Sequence, residues 1–151
     1  MAGIVGVTRF NMVNSRTKGA AFERVIVNKI NNYLESKGSD DRVKRNLDQY
    51  QIKGLADVYW DKFAIECKRY KAGGKKTFYK NEWWNQAVES AGDDLIPLLI
   101  YKYDRRDIMC VIPLFLVTSV DSPNWDCTYH CSLSEICENL DGILQKANGF
   151  K

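Results

Sequence analysis

From Lys18 to Lys37, apolar residues recur at Phe22, Val25, Ile26, Ile30, Tyr33 and Leu34. That 3.6-residue stripe predicts an amphipathic helix, with Gly38 as its stop. Residues 1–16 show no clear period and run into Asn14-Ser15-Arg16-Thr17, which reads as an N-terminal arm leading to a helix cap. Val43–Ile52 is polar and weakly alternating, a strand or an extended loop. Two short apolar runs follow, Leu55–Trp60 and Phe63–Lys68, separated by Asp61-Lys62 alone. A two-residue gap is the spacing of a tight β-hairpin. Lys71–Lys76, with Gly73-Gly74 inside it, reads as a loop.

Helical periodicity returns at residues 81–91, where Trp84, Ala87, Val88 and Ala91 share a stripe and Gly92 ends it. Ile96–Tyr103 and Asp107–Ile112 read as strands joined by Asp104-Arg105-Arg106. Ser132-Leu133-Ser134-Glu135 has the form of a capping box. It opens a last helix with Leu133, Ile136, Cys137, Leu140, Ile143 and Leu144 on one stripe. This order of elements predicts a single α/β domain over residues 1–151, a central β-sheet flanked by helices.

Composition narrows the class. Of 151 residues, 45% are hydrophobic and 27% charged, enough to build one buried core. No apolar stretch approaches the length of a membrane span, and no leader-like run opens the sequence. Five cysteines, an odd number, suggest free thiols in a reducing, cytoplasmic setting. The net charge is only +3, yet Lys and Arg crowd the stretch from Arg9 to Lys80 and are absent from 113–145. One half can therefore present a positive face, with scattered solvated charge as the alternative.

The hairpin concentrates the chemistry. With Asp61-Lys62 as the turn, Trp60 faces Phe63, Val58 faces Ile65 and Asp57 faces Glu66. Strand residues two apart share a face, so Glu66 and Lys68 project together with Asp57. Val58, Trp60, Phe63, Ile65 and Cys67 fill the other, core face. Like charges directly opposed across a strand pair cost roughly 0.2–1 kcal/mol, and a divalent cation would turn that repulsion into coordination. Mg²⁺ suits a set of oxygen donors, with Mn²⁺ as a substitute. Lys68 would sit beside it, able to orient a water or neutralise phosphate charge. A solvated strand face is the ordinary origin of a bare Glu-x-Lys.

The string Gly54-Leu55-Ala56-Asp57-Val58, nine residues from Asp57 to Glu66, then Ile65-Glu66-Cys67-Lys68, resembles the PD-(D/E)XK nuclease signature. Upstream, Lys18-Gly19-Ala20-Ala21-Phe22-Glu23-Arg24 resembles the opening helix of archaeal-type and phage Holliday-junction resolvases. The resemblance spans about residues 16–112 and departs from the strict pattern at Ala56, where the family has Pro. It implies a restriction-endonuclease-like core with a mixed sheet. It also implies Glu23, Asp57 and Glu66 as metal-binding carboxylates, Lys68 as the catalytic lysine and Gln86 as an accessory catalytic glutamine.

It further implies a Mg²⁺-dependent endodeoxyribonuclease acting on four-way or other branched DNA as a homodimer, in a host's cytoplasm if viral. The resemblance implies Arg45 as a phosphate contact; Lys71, Lys75 and Lys76, in the basic loop, are placed to track phosphates or else are solvated, and Arg16, Lys18 and Arg69 complete the expected DNA-binding residues. The alternatives are a restriction- or repair-type nickase of the same fold, or a non-catalytic DNA-binding domain. From the residues alone, Glu23 also reads as an acid complementing a helix dipole. Gln86 and Arg45 also read as solvated side chains.

Two other features carry candidate chemistry. Cys127, His130 and Cys131, followed by Cys137, offer soft ligands for zinc, although Cys137 fits an apolar stripe and free thiols are the simpler account. His130 is the sole histidine, which disfavours hydrolases built on histidine networks. Trp83, beside the core residue Trp84, is a candidate base-stacking platform.

Overall fold

A computed structural model describes residues 2–47, 55–71, 78–119 and 122–150, with the side chains of residues 2–17 outside that description. Among the described residues six strands form one mixed sheet in chain order. They are β1 (Lys44–Arg45), β2 (Val58–Trp60), β3 (Phe63–Tyr70), β4 (Ile96–Tyr103), β5 (Met109–Pro113) and β6 (Thr128–Ser132). Around them lie α1 (Ala2–Ser36), α2 (Asn81–Ala91), α3 (Leu133–Glu138) and α4 (Leu140–Asn148). β3 and β4 run parallel while the other neighbouring pairs are antiparallel. A parallel pair needs a crossover connection, and α2 supplies it.

Each face of the sheet buries a different cluster. On one side Val58, Trp60, Ile65, Leu98, Ile100 and Ile112 meet Phe22, Ile26, Ile30 and Leu34 of α1, together with apolar residues of α3 and α4. On the other, Leu99, Tyr101, Tyr103 and Val111 meet Trp83, Trp84 and Ala87 of α2. β4 is covered on both sides, so its residues from Ile96 to Tyr101 form an unbroken buried run, as central parallel strands do. Burying each Ile or Leu in this way contributes about 1.5–3 kcal/mol.

The hairpin has the expected register, Trp60↔Phe63 and Val58↔Ile65. Asp61 turns it with φ 48°, a left-handed conformation that Asp tolerates better than most residues. Lys62 is held as well: its Nζ donates to the carbonyls of Asn148 (3.1 Å) and Phe150 (2.8 Å). The otherwise weak Asp-Lys turn is thus fastened to the end of α4, where a cation satisfies terminal carbonyls.

Several sequence expectations need correction. The first helix starts at Ala2, not near Lys18: once nucleated, a helix gains a hydrogen bond per added residue, and the polar string at 14–17 does not interrupt it. Val25, placed on the apolar stripe, is 40% exposed. Of Val43–Ile52 only Lys44–Arg45 is strand, and residues 48–54 lie outside the described residues, as do 72–77 of the expected loop. The second hairpin's return strand begins at Met109 rather than Asp107. β6 was not anticipated. The last helix is two: Ser132 Oγ caps α3 by accepting from Glu135 N (3.2 Å), and Asn139 separates α3 from α4.

Candidate active site

Asp57 precedes β2, and Glu66 and Lys68 lie on the face of β3 turned toward α2. Asp57 is clamped from two sides. Its carbonyl accepts from Asn46 N (2.8 Å), and its Oδ2 accepts from the backbone N–H of Cys67 (2.8 Å). Glu66 is 9% exposed, and its carboxyl adjoins that of Asp57 closely enough for each to shift the other. Lys68 Nζ stands 3.4 Å from Glu66 Oε1. The sheet alternation that sends Ile65 and Cys67 into the α1 core sends Glu66 and Lys68 to the opposite side.

Burial first, and then the Glu66 charge, raise the Asp57 carboxyl to about 7 against the Cys67 N–H bond and Lys68. Glu66 is likewise raised, by burial first, with Lys68 opposing. Partners that lower these values are outweighed by desolvation and like charge. Two adjacent carboxylates therefore resist ionising together.

Glu23 reaches this region from α1. It is 5% exposed, its charge pushes on both Asp57 and Glu66, and its Oε2 accepts from Arg45 at 3.0 Å (Nε) and 2.9 Å (the terminal nitrogen). Arg45, expected on a phosphate, is thus half-buried and committed to Glu23 in this structure. Among the described residues no three His, Cys, Asp or Glu side chains are arranged to hold a metal ion; Asp57 and Glu66 adjoin, while Glu23 is turned to Arg45. The donor set still fits a hard divalent cation, which takes one or two carboxylates plus waters. The pair's resistance to shared ionisation is the electrostatic state a cation relieves.

The other expected residues are more dispersed. Gln86 is exposed on α2 and makes no hydrogen bond to the carboxylates. Lys18 and Arg69 converge on Asp104, each at 3.2 Å. Lys71 is exposed; Lys75 and Lys76 fall outside the described residues, as does the side chain of Arg16. Trp83 is 4% exposed and packs at 4.9 Å on Tyr70 and near Tyr101 and Tyr103, so it offers no face to a base.

The zinc candidate dissolves for a geometric reason. In β6, His130 and Cys131 point to opposite faces. Cys131 enters the α1-side core, and His130 Nε2 lies 2.6 Å from Tyr101 Oη with the rings stacked at 5.7 Å. Burial lowers His130 and raises Tyr101 to about 12. Sequence reasoning missed the aromatic shelf this creates: Phe78, 67% exposed, and Tyr79 pack on His130. Its only signal was the density of aromatic residues between 70 and 103.

A solved structure of Hjc, a Holliday junction resolvase from Archaeoglobus fulgidus, resembles this one with 15% sequence identity and a TM-score of 0.47, over 82% of this chain and 98% of that one. No curated protein matches the sequence. Residues 14–132 match the family described as phage putative PDDEXK endonuclease, a span that contains Glu23, Asp57, Glu66 and Lys68. The chain belongs to that nuclease family.

Proposed function

We propose that the protein is a divalent-metal-dependent endonuclease of branched DNA, four-way junctions above all, acting as a homodimer. The observation that carries the chemistry is the buried Asp57–Glu66 pair with the Lys68 ammonium 3.4 Å from Glu66. Asp57 and Glu66 would hold the cation, with Glu23 beside them; Mg²⁺ fits the oxygen donors and Mn²⁺ would substitute. When bound, the cation supplies Lewis acidity toward water and the phosphoryl oxygens.

The chain's own residues do the rest. Cys67 N–H and Asn46 N–H fix Asp57 so that its carboxylate needs no reorganisation. Glu66 holds Lys68, whose ammonium can orient a water and neutralise charge gathering on the scissile phosphate. Arg45 holds Glu23 by a paired contact from its guanidinium. The Lys18–Arg24 string, similar to the opening helix of junction resolvases, supports branched DNA as the substrate. Symmetric cutting of a four-way junction requires two such centres, hence a two-fold dimer.

The test is Mg²⁺-dependent cleavage of labelled junction, flap, nicked and linear DNA by wild type and Glu66→Gln. Junction cutting that Glu66→Gln reduces by at least about 10³-fold is expected. Equal cutting of linear duplex removes the junction preference and leaves the nuclease. Undiminished cutting by Glu66→Gln overturns the site.

A further inference from the structure

On the side of the sheet away from the Glu66–Lys68 face, α1, the ends of β3 and β4 and the β4–β5 turn enclose an open cleft of about 840 Å³. Lys29, Arg69, Lys102 and Arg106 line it, with Asp107 as the acid on its wall. Arg69 and Lys102 are register partners on neighbouring strands. Among the described residues, Lys29, Lys102 and Arg106 have no ion-pair partner. Arg69 is paired with Asp104, which leaves three unpaired cations beside Asp107, and an excess of positive charge of this kind is relieved by a polyanion.

We infer that this cleft is a second phosphate-binding site, which holds DNA backbone flanking the phosphate to be cut. The inference rests on the nuclease reading above. Connectivity favours DNA over an acidic protein, because the elements that carry the catalytic groups also carry the cleft. Arg69 follows Lys68 directly, about 3.8 Å along the chain, and points to the opposite face. Lys29 lies on α1 six positions beyond Glu23. A strand of DNA passing the ends of β3 and β4 therefore meets Lys68 on one side of the sheet and Arg69 and Lys102 on the other. Contacts of this kind set register and affinity without reading sequence.

The experiment measures binding of a labelled junction by anisotropy across a salt series. The parent is Glu66→Gln, which keeps DNA intact, and it is compared with the same protein carrying Lys102→Gln and Arg106→Gln. Lys146→Gln, on α4, controls for general loss of charge, and melting curves confirm folding. If charge removal unfolds the double variant, the single variants Lys102→Gln and Arg106→Gln replace it, each expected to weaken binding and to make the salt slope shallower by about 0.9, and a parental slope in both overturns the cleft.

The inference expects roughly tenfold weaker binding for Lys102→Gln/Arg106→Gln and a salt slope shallower by about 1.8, the value for two lost phosphate contacts. Lys146→Gln should change neither. A double variant with parental affinity and slope overturns the cleft while leaving the nuclease intact, and would turn attention to an acidic protein. A parent that neither binds nor, with Glu66 restored, cuts any DNA overturns both.

Discussion

Two acid–base clusters sit within one molecule and behave oppositely. Asp57 lies in a partly buried place with acidic neighbours, and its carboxyl rises to about 7. Asp104 lies in the open between Lys18 and Arg69, and the Lys18 hydrogen bond leads in holding it below its ordinary value. Asp104 is satisfied where it stands. Asp57 and Glu66 are not, since burial and the charge of neighbouring acids, Glu23 among them, outweigh the help from Cys67 N–H and Lys68. Folds tend to keep an unfavourable arrangement where function requires it, and this contrast supports the proposal that the hairpin carries the chemistry.

The largest test of the contrast is Asp57→Asn. Cleavage should fall by at least about 10³-fold, while metal-free stability moves the other way. The folded carboxyl is raised from 3.8 to about 7, so the native state holds more protons than the unfolded state between those values. Stability from this group therefore falls as pH climbs from about 4 to about 7 and stays low above. Asn removes the penalty and still accepts from Cys67 N–H. The variant should be more stable than wild type at pH 8 by on the order of 2–4 kcal/mol and indistinguishable at pH 3.5. A destabilised Asp57→Asn at pH 8 would break the comparison.

Next in size is the response to cation. Wild type in excess Mg²⁺ or Mn²⁺ should gain about 2.7 kcal/mol at a hundred times the dissociation constant, read as a rise in Tm. Asp57→Asn should gain little, because half of the adjoining pair is gone. Equal gains would place the cation elsewhere. The smallest effect belongs to Asp104→Asn, whose exposed pairs are screened by water and salt. Its melting curve should overlay that of wild type.

Much of the fold around the Asp57–Glu66 pair is legible in the sequence. The hairpin register follows from one two-residue gap and the period-two alternation, and α2 occupies the residues its stripe and Gly92 predicted. What escaped depended on partners distant in sequence. Trp83 looked free because its stripe covers one helix face, whereas Tyr70, Tyr101 and Tyr103 arrive from two strands to bury it. Thr128–Ser132 carries little apolar signal because β6 draws its stability from pairing with β5. The Glu23–Arg45 bond joins positions 22 residues apart, and no local pattern announces it.

The bond from Cys67 N–H to Asp57 divides labour inside the Glu66-Cys67-Lys68 triplet. The middle position serves the hairpin through its main chain, while its thiol, pushed well up by burial, belongs to the hydrophobic interior. Substitution there is therefore governed by volume rather than by chemistry. Valine can stand in for cysteine with the amide in place, whereas proline, of any size, takes away the donor that aims Asp57.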